Sequence, residues 1–167
     1  MMNAIEAKAI AEDVIFREAF HLDRGDWPAW LLLYDSDAEY WLPAWRNEYE
    51  TTEDPNSEIS LIYHASRREL EERVSRIESR KSVTALPLPR TVHLIGNLLV
   101  QEASGDLIRT SASFSVHVYD PRVARQHDHF GRYEHALIRT DSDWRIKRKK
   151  IILINDRIPT ALDFYSI

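Results

Sequence analysis

Cysteine is absent from the 167-residue chain. That excludes a disulfide framework, a thiol nucleophile, an iron–sulfur centre and a thiolate zinc site within it. Glycine-rich phosphate loops are missing, and so are the H-E-x-x-H and G-x-S-x-G patterns of common metal and serine hydrolases. No run approaches the roughly 18 apolar residues of a membrane helix, and the opening MMNAIEAKAIAED is too polar and acidic for a signal peptide. A cytoplasmic protein is expected. An excess of positive charge is also lacking. The formal net charge is -5, which argues against a general nucleic-acid binder, because neutralising phosphates needs a basic surface. Repeats and low-complexity segments do not occur.

What is present is an ordinary globular composition, 44% apolar and 29% charged. A chain of this length can bury one core unaided, so residues 1–167 are expected to form a single domain. The pattern places helices first. Asn3 is a suitable N-cap with Glu6 three residues on, and Ile5, Ala9, Phe16, Ala19 and Phe20 fall at helical spacing up to Arg24, where Gly25 stops the run. A second short helix is predicted over Trp27–Tyr34 with Pro28 in its first turn. An aromatic strand follows at Ala38–Pro43. Residues 45–58 carry five carboxylates against Arg46 alone and read as a long acidic loop.

The stretch Ile62–Asn97 joins the two halves of the chain. It predicts a helix capped by Ser66 with Glu69 at the capping-box position, and Leu70, Val74 and Ile77 form its apolar stripe. Glu69–Arg73 and Glu72–Arg76 are i,i+4 pairs on its surface. Pro87 and Pro89 then hold the chain extended. Strands are predicted over Val92–Ala103, Leu107–Tyr119, Phe130–Thr140 and Trp144–Asn155, with a histidine-bearing loop before the third. In the second, Ile108, Ala112, Phe114, Val116 and Val118 share a face. In the last, the apolar parity changes between Ile146 and Ile151, which a bulge near 148–150 explains, since one extra residue swaps the faces. Helices followed by a meander of long strands argue for an α+β fold. Its curved antiparallel sheet forms a cone around the N-terminal helices.

Three constellations could carry chemistry. His127 and His129, with His135 beyond, point the same way on a strand, as ligation of one metal requires, yet no carboxylate at a fitting spacing completes the set. Tyr34, Asp35 and Asp37 follow the second helix, where a cone could aim an acid or base inward; Asp also suits a simple turn there. The basic run 145–150 splits between two strand faces. The residues by themselves assemble no catalytic set.

One stretch says more. YHASRRELEERVSRIESRKSVTALPLPRTVHLIGN (63–97), EYWLPAW (39–45) and the tail KKIILINDRIPTALDFYSI (149–167) resemble the small (β) subunits of aromatic-ring-hydroxylating dioxygenases, the benzoate and anthranilate types above all. The resemblance implies the cone-shaped fold of nuclear transport factor 2. It implies a non-catalytic structural role in an oxygenase that cis-dihydroxylates an aromatic compound, an aromatic carboxylate in particular. It implies a large (α) subunit partner in an α3β3 hexamer with β–β contacts, served indirectly by a reductase or ferredoxin. The Rieske [2Fe–2S] cluster and mononuclear Fe(II) are expected in that large subunit, with no cofactor, metal or catalytic residue in this chain. Pro89, Arg90, Asp163, Phe164 and Tyr165 are the expected interface positions. The competing expectation is a stand-alone pocket enzyme of the same fold, an isomerase, cyclase or dehydratase that uses Asp35 or Asp37 with His93 or Tyr34.

Overall fold

A computed structural model describes residues 2–80 and 86–167. Residues 81–85, inside the joining stretch, lie outside the described part. The element order is α1 (Ala4–Arg24), α2 (Trp27–Leu32), β1 (Tyr34–Pro43), β2 (Ser60–His64), α3 (Arg67–Glu78), β3 (Arg90–Ser104), β4 (Leu107–Asp120), β5 (Arg125–Arg139) and β6 (Trp144–Leu153). A 3-10 turn at Phe164–Ser166 closes the tail. The strands form one six-stranded sheet in the order β2-β1-β6-β5-β4-β3. Helices at the start of the chain and a curved sheet after it agree with the α+β expectation. The sheet is nevertheless mixed, because β1 runs parallel to β6 while all other neighbours are antiparallel.

Asn3 caps α1 as expected, its Oδ1 accepting from the Glu6 N–H at 2.9 Å. The buried face of α1 is not the predicted one. Ala7, Ala11, Val14, Ile15, Glu18, Ala19 and Leu22 turn inward, whereas Ile5, Phe16 and Phe20 are largely exposed and Ala9 faces solvent. The inward stripe is made of small residues, which let the helix approach the sheet closely, and it contains an acid. A hydrophobicity pattern ranks neither highly. Outside, the Arg24 guanidinium lies 3.6 Å over the Phe20 ring and shields part of it.

The second helix ends at Leu32, two residues early, so Tyr34, Asp35 and Asp37 belong to β1 and not to a helix end. Ser60–His64 pairs with β1 as an edge strand that the sequence pattern did not predict. It is short and only half buried, so no clear alternation marks it. Ser66 makes no side-chain cap on α3; Glu69 instead accepts from the Ala65 N–H at 2.9 Å. Arg73 leaves the expected partner Glu69 and reaches Asp163 in the tail. Leu70 and Val74 of α3 are buried as its stripe predicts.

The β4 alternation is as expected, with Ile108, Ala112, Phe114, Val116 and Val118 all inside. β5 begins five residues before the predicted Phe130, because the end of β4 pairs with 125–129 and turns the expected loop into strand. The β6 bulge exists one position earlier than predicted. Ala136 pairs with Arg148 and Leu137 with Ile146, so Lys147 is the extra residue. Its consequence is chemical: beyond the bulge the inward places fall to Lys149, Ile151 and Leu153.

Candidate functional site

The interior of the cone holds an ionised cluster. The carboxylate of Glu18, carried inward by α1, meets the ammonium of Lys149, carried inward by the bulge, with Nζ at 2.9 and 3.1 Å from Oε1 and Oε2. The Tyr34 hydroxyl donates to the same Oε1, and the Trp30 Nε1–H donates to it at 3.3 Å. His135 Nε2 stands 3.8 Å from Oε2, too far for a good hydrogen bond. Lys149 Nζ also sits 4.2 Å over the Tyr133 ring. Glu18, Tyr34, Tyr133, His135 and Lys149 are all buried.

Burial alone would raise the Glu18 pKa. Lys149, helped by His135 and Tyr34, more than reverses this and holds the carboxylate well below its ordinary range. Burial lowers Lys149, opposed by Glu18, and burial likewise lowers His135, which keeps that imidazole neutral. Burial and the Glu18 charge push Tyr34 upward. A carboxylate locked ionised by several donors is a poor proton acceptor, and a cluster closed off from solvent cannot meet a substrate. Its physical effect is to fix α1, β1, β5 and β6 in one register. The surrounding space is filled by Trp30, Tyr40, Leu137, Phe164 and their neighbours.

The residues proposed for a pocket enzyme do not converge. Tyr34 faces the interior, while Asp35 on the opposite face of β1 forms an ion pair with Lys147 at 3.0 Å, and Asp37, at 3.8 Å from the same ammonium, is exposed. Burial raises the Asp35 pKa, but the bond from Lys147 together with the backbone N–H groups of Asp37 and Ser36 outweighs it and holds the carboxyl low. His93 is buried on β3 with a different acid: its Nδ1 is 2.5 Å from Asp23 Oδ1, and its backbone N–H donates to Oδ2 at 3.0 Å. Burial raises Asp23, but the bonds from His93 outweigh it and the carboxyl stays low. The pair therefore ties the end of α1 to the start of β3.

His127 and His129 do share a face, with ring centroids 5.0 Å apart. Burial, with His127 nearby, brings His129 down to about 4, so it is neutral near pH 7. Among the described residues no group of three or more His, Cys, Asp or Glu side chains could hold a metal. The basic run is spent within the chain: Lys147 on Asp35, Arg148 on Glu39 at 2.9 Å, Lys149 on Glu18 and Lys150 over the Trp41 ring at 4.9 Å.

The expected interface positions separate into two groups. Phe164 is 0% exposed, stacked on Trp30 with centroids 4.6 Å apart and set edge-on to Trp27 at 5.4 Å. Its ring is wholly covered within the chain. Asp163 is likewise buried, receiving a two-point ion pair from Arg73 and capping the final turn through its bond from the Phe164 N–H at 2.9 Å. These two hold the tail to the body of the protein. Pro89 and Tyr165 are half-buried at the surface and Arg90 is exposed, its guanidinium 5.8 Å from the Tyr119 ring centroid.

Sequence reasoning missed Glu18 and Lys149. The available signal was an acid inside the true apolar register of α1 and a lysine at the inward parity after the bulge.

Comparison with known proteins shows the family of the chain. A family profile described as "Ring hydroxylating beta subunit" matches residues 17–160. The chain is 35% identical to the anthranilate 1,2-dioxygenase small subunit of Acinetobacter baylyi (strain ATCC 33305 / BD413 / ADP1), over 98% of this chain and 99% of that one. It is 36% identical to the toluate 1,2-dioxygenase subunit beta of Pseudomonas putida, over 93% and 94%. The crystal structure of the β subunit of the benzoate 1,2-dioxygenase from Burkholderia mallei ATCC 23344 superimposes with a TM-score of 0.79 at 29% identity, covering 100% of this chain and 99% of that one.

Proposed function

The chain belongs to the ring-hydroxylating β-subunit family, and from that membership we propose that it is the non-catalytic small subunit of an aromatic-ring-hydroxylating dioxygenase. The observation that carries the structural role is the filled cone. Where a pocket enzyme would need an open, protonatable interior, this chain has a buried ion pair under Trp30, Tyr34 and Tyr133. Residues 1–167 act as one small-subunit domain in the cytoplasm. The complex acts on an aromatic carboxylate, the chemistry after which anthranilate and toluate dioxygenases are named.

The partner is a large subunit, in an α3β3 assembly with contacts between small subunits, and electrons reach it from a reductase or ferredoxin. A Rieske [2Fe–2S] cluster and a mononuclear Fe(II) belong to that large subunit, where they supply electron delivery and oxygen activation. A Rieske cluster needs two cysteines, and this chain has none. Pro89, Arg90 and Tyr165 are its surface candidates for subunit contacts.

The test is co-expression with a large subunit of the same dioxygenase family, followed by affinity purification through this chain alone. A stoichiometric, red-brown complex with the electron paramagnetic resonance of a reduced Rieske cluster is expected. A colourless chain that turns over a substrate by itself would overturn the proposal.

A further inference from the structure

A row of polar side chains crosses the inner face of the sheet. Thr110 of β4 stands opposite His135 of β5, His135 opposite Lys149 of β6, and Lys149 beside Tyr40 of β1. All four are buried. Lys149 has its acid in Glu18, which α1 carries over the row.

Thr110 and His135 are only 1% and 3% exposed. The Thr110 hydroxyl oxygen and both imidazole nitrogens of His135 nevertheless lack a hydrogen-bond partner among the described residues. The Nε2 edge of the ring faces Glu18 Oε2 at 3.8 Å, too far for a good bond but on the side of the negative charge. Burial keeps the imidazole neutral, so one nitrogen carries no proton, and the carboxylate favours the tautomer protonated on Nε2. Nδ1 is then a buried acceptor that needs a donor. The Thr110 hydroxyl is a buried donor that needs an acceptor. Folded proteins leave few such groups unmet.

The surrounding side chains do not supply the bonds. In the adjoining rows Ile108 and Leu137 on one side, and Ala112 on the other, are apolar. Tyr133, opposite Ala112, sets its ring edge-on to His135 with centroids 5.6 Å apart, and its own hydroxyl lacks a partner among the described residues. On β3, Val100 flanks Thr110.

The chemistry of the two tips selects what joins them. Side chains directly opposite on adjacent strands have Cβ atoms about 4.5–5.5 Å apart, so a molecule bonded to both tips is no larger than a water. It is neutral, because Glu18 and Lys149 already balance each other at 2.9 Å and a further buried charge would go uncompensated. It accepts at one end and donates at the other, which an apolar guest cannot do.

We infer that one ordered water molecule is built into the cone between Thr110 and His135, accepting from the Thr110 hydroxyl and donating to His135 Nδ1. It holds the imidazole with its Nε2–H toward Glu18. The site belongs to the fold of this chain and does not depend on the small-subunit reading.

A crystal structure of the full chain, alone or in its complex, at a resolution that shows ordered solvent reads the site directly. A single density peak about 2.7–3.2 Å from both Thr110 Oγ1 and His135 Nδ1 is expected. Oxygen-17 relaxation dispersion of the full chain in solution gives a second reading, because it detects waters held far longer than those at the surface. The double variant Thr110→Val/His135→Leu, checked for folding by circular dichroism, removes both partners and should lose the contribution of one long-lived water. A direct bond between Thr110 and His135 with no density between them would overturn the inference. So would a larger or charged molecule in that density, or a folded double variant with undiminished dispersion. If the double variant does not fold, the crystallographic reading decides by itself.

Discussion

Lys149→Met tests whether the interior ion pair is what holds the cone together. Methionine keeps the unbranched apolar stem and removes the ammonium. In the native protein, Nζ is 2.9 and 3.1 Å from the two Glu18 oxygens. At an effective dielectric constant near 20, unit charges about 3 Å apart attract by roughly 5–6 kcal/mol. Desolvation of both ions offsets much of that, so the intact pair adds little net stability. Removing one partner is a different perturbation. Glu18 stays buried with only Tyr34 and Trp30 donating to it, and the uncompensated carboxylate costs about 3–5 kcal/mol. For a chain of this size that lowers Tm by roughly 6–20 °C.

The pH dependence has a definite sign. Native Glu18 is held below its unfolded value of 4.5, so its contribution is complete above that pH and is lost as the pH falls below it. In the variant, burial outweighs the remaining donors Tyr34 and Trp30 and raises the folded pKa above the unfolded one, so the variant loses stability as the pH rises through that interval. The gap between the two proteins therefore widens from about pH 4 to about pH 7. Urea unfolding followed by tryptophan fluorescence measures it, with Trp30 bonded to the cluster. Glu18→Gln combined with Lys149→Met leaves a neutral acceptor for Tyr34 and Trp30, and should recover at least about half of the loss. A cost under about 1 kcal/mol, or a gap that does not change with pH, would refute the reasoning.

Four further outcomes are expected. Gly131→Ala would place a Cβ 1.9 Å from the Ile152 carbonyl oxygen, so a loss of about 3 kcal/mol or an insoluble product is expected in thermal melts. Phe164→Ala opens a cavity beneath Trp30 and Trp27 and should cost about 3–5 kcal/mol in the same assay, whereas Tyr165→Ala should leave the chain folded and loosen its assembly by sedimentation. Deletion of Lys147 removes the bulge but leaves Arg148 opposite Ala136 and Lys149 opposite His135, so the inward face is kept; a soluble folded chain weakened only by the lost Asp35 ion pair, by about 1 kcal/mol or less in thermal melts, is the expected result.

How far the fold was legible depended on whether a residue's neighbours along the chain were also its neighbours in space. β4 was readable because its alternation records one wet and one dry face over fourteen residues. The bulge in β6 was readable for the same reason, as a break in parity, and its position was off by one because Lys147 and Arg148 are both charged and both face outward. The α1 face was misread because Ile5, Phe16 and Phe20 outweigh alanines in any hydrophobic ranking. Only the closeness of α1 to β3 and β6 selects the alanine stripe. β2 went unpredicted because an edge strand with half-buried side chains carries little pattern.

The sequence by itself determined the class and the family. The absence of cysteine placed any iron–sulfur chemistry elsewhere, and the helix-then-strand order with the motifs at 39–45, 63–97 and 149–167 marked the small-subunit resemblance. Tertiary structure alone decided what the interior does. Glu18 and Lys149 are 131 residues apart, and nothing local marks either as buried. A carboxylate on α1 and an ammonium displaced by a bulge become a locked pair only when helix and sheet close on each other and bury both. The same closure put Phe164 in the core and left Tyr165 at the surface. Burial is a property of the whole fold, so adjacent residues in one tail motif can lie in the core and at the surface.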